Sequence, residues 1–243
     1  MQHPSVKRLF REQVELYSRE DQSAFFSPVI SLFINWLKKN KPSKTLEICE
    51  FGGGGGLLLS RLAKFAPGAK LTNIELVADY RKYQILPEIR FIAGSILDSK
   101  FADGSFDCLV IRDVLHHLIG DNLSKTKENQ KQALQELKRL LKPGGVIFIE
   151  ELVNQSGIAG RLIYGLSKIN SSLGIRSKYF QISPNTIVSF LTSKELIKLS
   201  GEVFGKKNIS QAIFRPSFHR LRFRLVHLGG HSGKQLLVLE KPR

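Results

Sequence analysis

The sequence predicts an α/β protein with a mostly parallel sheet covered by helices on both faces. Short runs rich in aliphatic residues alternate with longer helical or loop stretches. Runs that are apolar throughout are typical of strands buried on both sides. The chain has 243 residues, of which 42% are hydrophobic, so it is long enough to bury a substantial core in one large domain.

Two helices are predicted at the N-terminus. Apolar residues recur at helical spacing from Val6 to Tyr17. The second stretch, "SPVISLFINWLKK", places Ser27 as an N-cap and Pro28 at the first helical position. These features define an N-terminal helical lead over residues 1–42.

The predicted sheet begins after this lead. Five strand-like runs follow in chain order: "TLEICEF", "LTNIEL", "IRFIAG", "FDCLVIR" and "GVIFIEE". Before the last of them, apolar residues from Ala133 to Leu141 form a helical stripe. Pro143 and the two glycines after it are expected to end that helix.

A block of five glycines separates the first predicted strand from the next helix. The glycine spacing of the dinucleotide-binding fingerprint fails in either register, and a Walker loop is excluded because Leu57 stands where that motif requires Lys. A third register fits, with Glu50 followed by glycines two residues apart: Gly52, Gly54 and Gly56. Bare backbone at these positions would let a ligand approach closely.

This spacing resembles the first motif of class I S-adenosylmethionine-dependent methyltransferases. The resemblance implies that the amino-acid tail of the cofactor lies against the glycine turn and that Glu50 meets its ammonium group. Gly53 and Gly55 fall between the required positions, and we interpret them as a source of flexibility only. The alternative is a loose turn between a strand and a helix.

A second acidic residue ends the next strand, where the resemblance implies ribose binding. Glu75 lies about 20 residues beyond the glycines, and its two acceptor oxygens suit a pair of vicinal hydroxyls. A solvent-facing glutamate is the alternative interpretation. The sequence therefore predicts Glu50 and Glu75 on either side of one cofactor pocket.

The segment "RFIAGSILDSKFADGSFDCLVIRDVLHHL" is similar to the ubiquinone and menaquinone C-methyltransferase group, also called methyltransferase type 11. This group usually has Asp where the chain has Ser95, which keeps a hydrogen-bonding hydroxyl but lacks the charge. The resemblance adds Ile96, as an apolar adenine contact, and Arg112 to the predicted cofactor-binding residues. Ordinary core packing is the alternative for Ile96.

The histidine pair after the fourth strand supplies the candidate catalytic residues. His116 and His117 would lie close to the transferred methyl group, and imidazole can accept a proton near neutral pH. His116 is the first choice. A structural role, capping the loop or packing below the cofactor, is the alternative, and Asp113 and Tyr17 are further candidates to line the pocket.

The resemblance covers residues 43–152 and implies a Rossmann-like sheet of seven strands in a single domain. Residues 153–193 are then a substrate cap, and residues 194–243 a C-terminal helix and an antiparallel strand pair. We assign that pair to the runs joined by "GGHSG", the first of which carries alternating arginines at Arg220, Arg222 and Arg224. These arginines are expected to protect a sheet edge, with an acidic ligand as the alternative.

Composition limits the cellular setting and the partners. No secretory signal or membrane-spanning run is evident, so a cytoplasmic protein is expected. Cys49 and Cys108 lie in apolar strands without zinc or haem spacing, which predicts buried thiols and no metal site. The net charge is +16, with 15 basic and 4 acidic residues between 151 and 243, which indicates either an acidic partner or simple solubilising charge.

The cap contains a predicted amphipathic helix with Arg161 and Lys168 off its apolar stripe. The stripe comprises Ile158, Leu162, Ile163, Leu166, Ile169 and Leu173. Such a helix either touches an anionic membrane and admits a lipophilic acceptor, or simply closes the pocket.

The sequence therefore predicts methyl transfer from S-adenosylmethionine to a small or lipophilic acceptor, such as a quinone precursor, a lipid or another metabolite. RNA or protein methylation is the rival enzyme hypothesis, since the chain is basic. Against nucleic-acid substrates, the chain lacks the Asn-Pro-Pro-Tyr and Pro-Cys motifs of base methyltransferases and has "RDVLHH" after the fourth strand. A non-catalytic homologue that only binds the cofactor is the third hypothesis.

Overall fold

The computed structural model describes residues 4–12, 14, 27–177, 185–216 and 232–242. Its helices are α1 (Pro4–Glu12), α2 (Val29–Asn40), α3 (Leu57–Ala63), α4 (Leu123–Leu140), α5 (Gly157–Leu173) and α6 (Ser193–Phe204). Its strands are β1 (Glu47–Phe51), β2 (Lys70–Glu75), β3 (Arg90–Ala93), β4 (Phe106–Arg112), β5 (Leu141–Asn154), β6 (Ile209–Pro216) and β7 (Ser232–Glu240). Short 3₁₀ turns span Ala78–Tyr83, Leu115–His117 and Lys206–Asn208.

The seven strands form one sheet in the order β3-β2-β1-β4-β5-β7-β6. β1 to β5 run parallel, and β7 runs antiparallel to both β5 and β6. The predicted α/β class, with a Rossmann-like sheet and an antiparallel C-terminal strand pair, is confirmed. The strand order reverses direction at β1, and the carboxyl ends of β1, β2 and β4 therefore meet beside the crevice where such sheets bind ligands.

Each face of the sheet carries its own apolar core. On one face, α2 and α3 cover Cys108 and Val110 of β4, whereas on the other α4 and α6 cover Leu109 and Ile111. This alternation explains why the runs are apolar throughout, since both sides of each strand are buried. The sheet therefore lies between two layers of helices, and the ends of its strands are available for a site.

Cys49 and Cys108 lie on neighbouring strands but in different core clusters. Both thiols are buried and free, which confirms the expectation of packing without a disulfide. Burial raises the pKa of both thiols well above the ordinary value.

Two local predictions are corrected. The second helix begins at Val29, with Pro28 preceding it, and the hydroxyl of Ser27 both accepts from the backbone of Val29 and donates to Glu150 at 2.5 Å. The edge strand that pairs with β7 in the described residues, β6, lies upstream of the predicted run. That run, with Arg220, Arg222 and Arg224, lies outside the described residues, as does Tyr17.

Candidate functional site at the carboxyl ends of the strands

The loop after β1 is built from glycine for two separate reasons. Gly52, Gly54 and Gly56 have φ angles of 73°, 54° and 79°, in the left-handed region that disfavours other residues. The intervening glycines, Gly53 and Gly55, do not have positive φ angles. Glycine is needed at these two positions because a side chain would clash with neighbouring residues.

A methyl group on Gly53 would lie 2.6 Å from the amide oxygen of Asn73 and 2.7 Å from the carboxylate of Glu50. One on Gly55 would lie 2.4 Å from the backbone oxygen of Tyr83. The interpretation of these two glycines as sources of flexibility is therefore wrong. They allow the loop to pack closely against β2 and against the turn that follows it.

The carboxylate of Glu75 joins the glycine loop to the end of β2. One oxygen accepts a hydrogen bond from the backbone of Gly54 at 3.1 Å, and the other accepts from Leu76 at 2.7 Å. Asn73 supports the same loop through its amide, which donates to the carbonyl of Gly54 at 2.8 Å. Glu75 is thus fixed in orientation at the wall of a cavity.

The cavity has a volume of about 90 Å³ and lies where β1, β2, β3 and β4 end. The predicted residues among its lining are Gly52, Glu75, Ser95, Ile96, Asp113 and His117. Phe10 of α1 closes one side and packs edge-on against His117, with ring centres 4.8 Å apart. The structure thereby brings together residues from five separate segments of the sequence.

Some predicted cofactor residues lie behind this lining. Glu50 is buried under the loop, beside the position of Gly53, and does not line the cavity. Gly54 and Gly56 shape the loop without forming the wall, and Arg112 lies at the end of β4, paired in register with Glu150 of β5. These residues could support the site but do not face into it.

Ser95 stands at the turn after β3. Its hydroxyl accepts a hydrogen bond from the backbone of Leu97 at 3.2 Å, which tightens that turn. Ile96 is buried, and it both lines the cavity and belongs to the core. The two interpretations offered for Ile96 are therefore compatible.

A buried carboxylate organises the histidine loop. Glu151, near the end of β5, accepts backbone hydrogen bonds from Val114 at 3.1 Å and Leu115 at 2.9 Å. Its other oxygen lies 2.5 Å from Nδ1 of His116. Because Glu151 is almost wholly enclosed, these contacts replace the water that its charge would otherwise need.

The two histidines have different surroundings. His116 is buried against Glu151, whereas His117 lines the cavity, with the two ring centres 4.1 Å apart. Burial, and next the charge of His116, hold the pKa of His117 well below its ordinary value. The His117 imidazole is therefore neutral at pH 7, the form that a general base requires.

Asp113 connects this loop to the antiparallel part of the sheet. It has a φ of 57°, unusual for a residue with a side chain. Its carboxylate accepts from the backbone of Leu152 at 3.0 Å and pairs with the ammonium of Lys234. Burial raises the pKa of Asp113, but nearby positive charge, Lys234 foremost, outweighs this and holds the pKa below its ordinary value.

Glu151, Lys234 and Phe10 are among the contributors that were missed from the sequence. Glu151 gave a usable signal, since it is an acid that follows a fully apolar strand at the same sheet edge as the glycine loop. Lys234 and Phe10 gave none, because they reach the site from β7 and α1 through tertiary packing.

No helix in the described ranges combines the length and the apolar character needed to traverse a bilayer.

The comparisons with known proteins agree with this geometry. A family model described as a methyltransferase domain matches residues 49–149, from β1 to β5. The chain is 26% identical over 217 residues to the demethylmenaquinone methyltransferase of Chlorobaculum tepidum, a match that covers 80% of this chain and 81% of that protein. It is 27% identical over 201 residues to the ubiquinone biosynthesis O-methyltransferase of Rickettsia conorii, covering 76% and 64% respectively.

Among solved structures, the fold is similar to the 1,6-didemethyltoxoflavin-N1-methyltransferase of Burkholderia thailandensis, crystallised with 1,6-didemethyltoxoflavin and S-adenosylhomocysteine. The TM-score is 0.59 at 14% identity, over 98% of this chain and 88% of that one. The domain match and these relatives show an S-adenosylmethionine-dependent methyltransferase that is similar to the quinone methyltransferase-like group, and the shared sheet topology shows its class I fold.

Proposed function

We propose that the enzyme methylates a small, lipophilic acceptor of the quinone-precursor type. The observation that carries the proposal is the joint position of the glycine loop and the Glu75 carboxylate on one cavity at the strand ends. The two relatives named above take part, by their names, in menaquinone and ubiquinone chemistry. Their acceptors support this class of substrate here.

The residues present fit the cofactor. Gly52 lines the cavity without a side chain, and a methyl group there would lie 2.7 Å from Val114, which also lines it, so any side chain at this position would narrow the cavity. In the proposal, the Glu75 carboxylate receives the ribose hydroxyls, Ser95 and Ile96 border the adenine, and the loop lies against the amino-acid tail. Glu50, Gly54, Gly56 and Arg112 hold this arrangement from behind.

The cavity is smaller than the volume of about 300–1,000 Å³ that is usual for small-molecule sites. Side chains of the outer wall must therefore move aside when the site fills. Phe10 is the best placed to do so, because it comes from α1 at the edge of the cavity, whereas the loop and Glu75 are fixed by hydrogen bonds.

When bound, S-adenosylmethionine supplies a methyl group already activated by the sulfonium charge. The protein has to align the acceptor and exclude water, and such positioning can contribute about 7–11 kcal/mol. We propose that His117, which faces the cavity, takes the acceptor's proton, and that His116 and Glu151 hold the loop in place. This reverses the first choice made from the sequence.

RNA or protein methylation is the weaker candidate. Its support is the net charge of +16 alone, and the described cavity wall is lined mainly by apolar side chains and backbone. The acceptor is tested by incubating the enzyme with methyl-labelled S-adenosylmethionine and, separately, a lipid extract containing quinone precursors and an RNA extract. We expect label in the lipid extract. Label in RNA alone would contradict the proposed acceptor.

A non-catalytic homologue is separated from an enzyme by a second result of the same experiment. It would bind the cofactor without transferring label to any extract. We also propose that the protein is cytoplasmic and that its cap contacts a membrane. At that membrane it would meet a lipophilic acceptor.

A further inference from the structure

The outer face of α5 exposes an unbroken row of large aliphatic side chains. The row, here called the outer α5 surface, comprises Ile158, Leu162, Leu166, Ile169, Leu173 and, just beyond the helix, Ile175. Each of these side chains is between 54% and 69% exposed. Single exposed apolar residues are common, but a contiguous row of this kind marks an interaction site.

The opposite side of the same helix is already used for packing. Ala159, Gly160, Ile163 and Tyr164 are buried, and Tyr164 packs with Val6 of α1 and with Ile119 and Ile187. The outer α5 surface therefore lies on the side that the described core does not cover. α5 therefore has a second apolar face, in addition to the buried face that packs against the core.

The charges around this surface have one sign. The 43 residues between Glu151 and Glu195 contain five basic residues and no acidic one. Arg161 and Lys168 are exposed on α5 itself, and Arg176 is exposed just after it. Each has a contact within the protein: Arg161 with the carbonyl of Gly157, Lys168 with that of Asp121 and Arg176 with the carboxylate of Glu12. Only the contact of Arg176 with Glu12 is an ion pair; Arg161 and Lys168 donate to backbone carbonyls, so neither of them is paired with a carboxylate through these contacts.

We propose that the outer α5 surface docks on an anionic phospholipid bilayer. A helix with an exposed aliphatic row and flanking Lys and Arg lies in the plane of the interface, with the row at the boundary between headgroups and acyl chains. From Ile158 to Leu173 the row runs for about 22 Å along the helix. A bilayer, unlike a protein groove, accepts such a row along its whole length without a matching shape.

The composition of the surface favours lipid over a second copy of the chain. Protein interfaces concentrate binding energy in Trp, Tyr and Arg seated in pockets, whereas the row contains only Leu and Ile. A second copy would also bring two basic surfaces together, at an electrostatic cost. Anionic lipid complements both the apolar row and the charge.

The helix that carries the outer α5 surface packs, through its inner side, next to a residue of the cavity wall. Phe10 of α1 lines the cavity and packs against the same cluster as Tyr164 of α5. Docking through α5 would bring the cavity wall near the bilayer, where a lipophilic acceptor is dissolved. This consequence depends on the proposed function, but docking itself does not.

Docking is tested by co-sedimentation of the full chain with vesicles of phosphatidylcholine alone and of phosphatidylcholine mixed with phosphatidylglycerol, without cofactor. We expect binding to the mixed vesicles only, weakened by salt. The triple substitution Leu162→Ser, Leu166→Ser and Ile169→Ser should reduce vesicle affinity at least tenfold. The matched control, Phe65→Ser, Ile85→Ser and Ile213→Ser, removes three similarly exposed apolar residues elsewhere and should leave affinity unchanged.

Three results would overturn the proposal. They are no binding of the unsubstituted protein to anionic vesicles, equal binding by both triple variants, or a dimer in solution that only the α5 variant abolishes, which would assign the surface to a second copy. The proposed function fails separately, since calorimetric titration with S-adenosylmethionine in the absence of lipid reports on it alone.

Discussion

The glycine loop of residues 52–56 and the outer α5 surface differ most in how closely the rest of the chain packs against them. In the loop, one added methyl group at Gly55 would lie 2.4 Å from backbone. Along α5, side chains as large as leucine are more than half exposed. The glycine loop is completed by contacts within the chain, whereas the outer α5 surface is left without such contacts.

The largest effect is expected at the loop. Gly55→Ala forces the loop away from the Tyr83 carbonyl, and we expect S-adenosylmethionine affinity to fall at least a hundredfold and stability by about 1–3 kcal/mol. Gly165→Ala on α5 is the matched control, because its added methyl group meets nothing within 4 Å. It should leave binding unchanged and stabilise the helix by about 0.5–1 kcal/mol. Calorimetry and thermal unfolding measure both, and normal binding by Gly55→Ala would refute the close-contact account.

The next effect concerns the buried carboxylate that holds the histidine loop. Glu151→Gln places an amide nitrogen against backbone N–H donors and removes the charge facing His116, so we expect a loss of about 1–3 kcal/mol in unfolding free energy. Glu202→Gln, at an exposed ion pair with Lys131, should change it by less than about 0.5 kcal/mol. Equal denaturant midpoints for the two variants would show that Glu151 does not organise the loop.

Acid should weaken the protein partly through His117. Its pKa is lowered in the folded state, so the unfolded chain binds the extra proton first, and stability is complete above the unfolded pKa of about 6.5 and is lost as pH falls through that value toward the lowered pKa. The slope contributed by one such group is at most about 1.4 kcal/mol per pH unit.

His117→Gln should flatten the stability profile below pH 6.5. The carboxylates of Asp107 and Asp113, whose pKa values are also lowered, lose their contribution only at more acidic pH, below about 4, and remain as an internal control. Urea unfolding across this pH range measures the profile. An unchanged slope in His117→Gln would contradict the assignment of a neutral imidazole with a lowered pKa.

The smallest effect is expected on the outer α5 surface. Leu162→Ala removes a side chain that the core does not cover, so the free energy of unfolding should change by less than about 0.5 kcal/mol. Its neighbour Ile163 faces the core, and Ile163→Ala should cost about 2–5 kcal/mol. If the two variants were equally destabilised, the outer surface would have to be part of the core.

The sequence is most informative where local chemistry decides the structure. The apolar runs predicted the five parallel strands because a strand that is buried on both faces has no alternation of polar and apolar residues. The spacing of Gly52, Gly54 and Gly56 indicated the loop, and their positive φ angles are ones that glycine adopts without strain. β6 was missed because it is an exposed edge strand in which apolar and polar residues mix without a clear buried face.

Contacts between distant segments could not be predicted. The close approach of Tyr83 to Gly55, the position of Glu151 under the histidines and the pairing of Lys234 with Asp113 each join residues far apart in the chain. The periodicity of α5 predicted a helix with an apolar stripe, but it did not predict which residues of the stripe face the core. Two apolar faces lie side by side, and only packing shows that Ile163 turns inward while Leu162 turns outward.

The most direct measurement is a calorimetric titration of S-adenosylmethionine into the unsubstituted protein, Glu75→Gln and the exposed control Glu88→Gln. Saturable binding with one cofactor per chain is expected for the unsubstituted protein and for Glu88→Gln, with affinity at least tenfold lower for Glu75→Gln, whose carboxylate faces the cavity. Absence of saturable binding, or equal affinity in all three proteins, would contradict the assignment of this cavity to the cofactor.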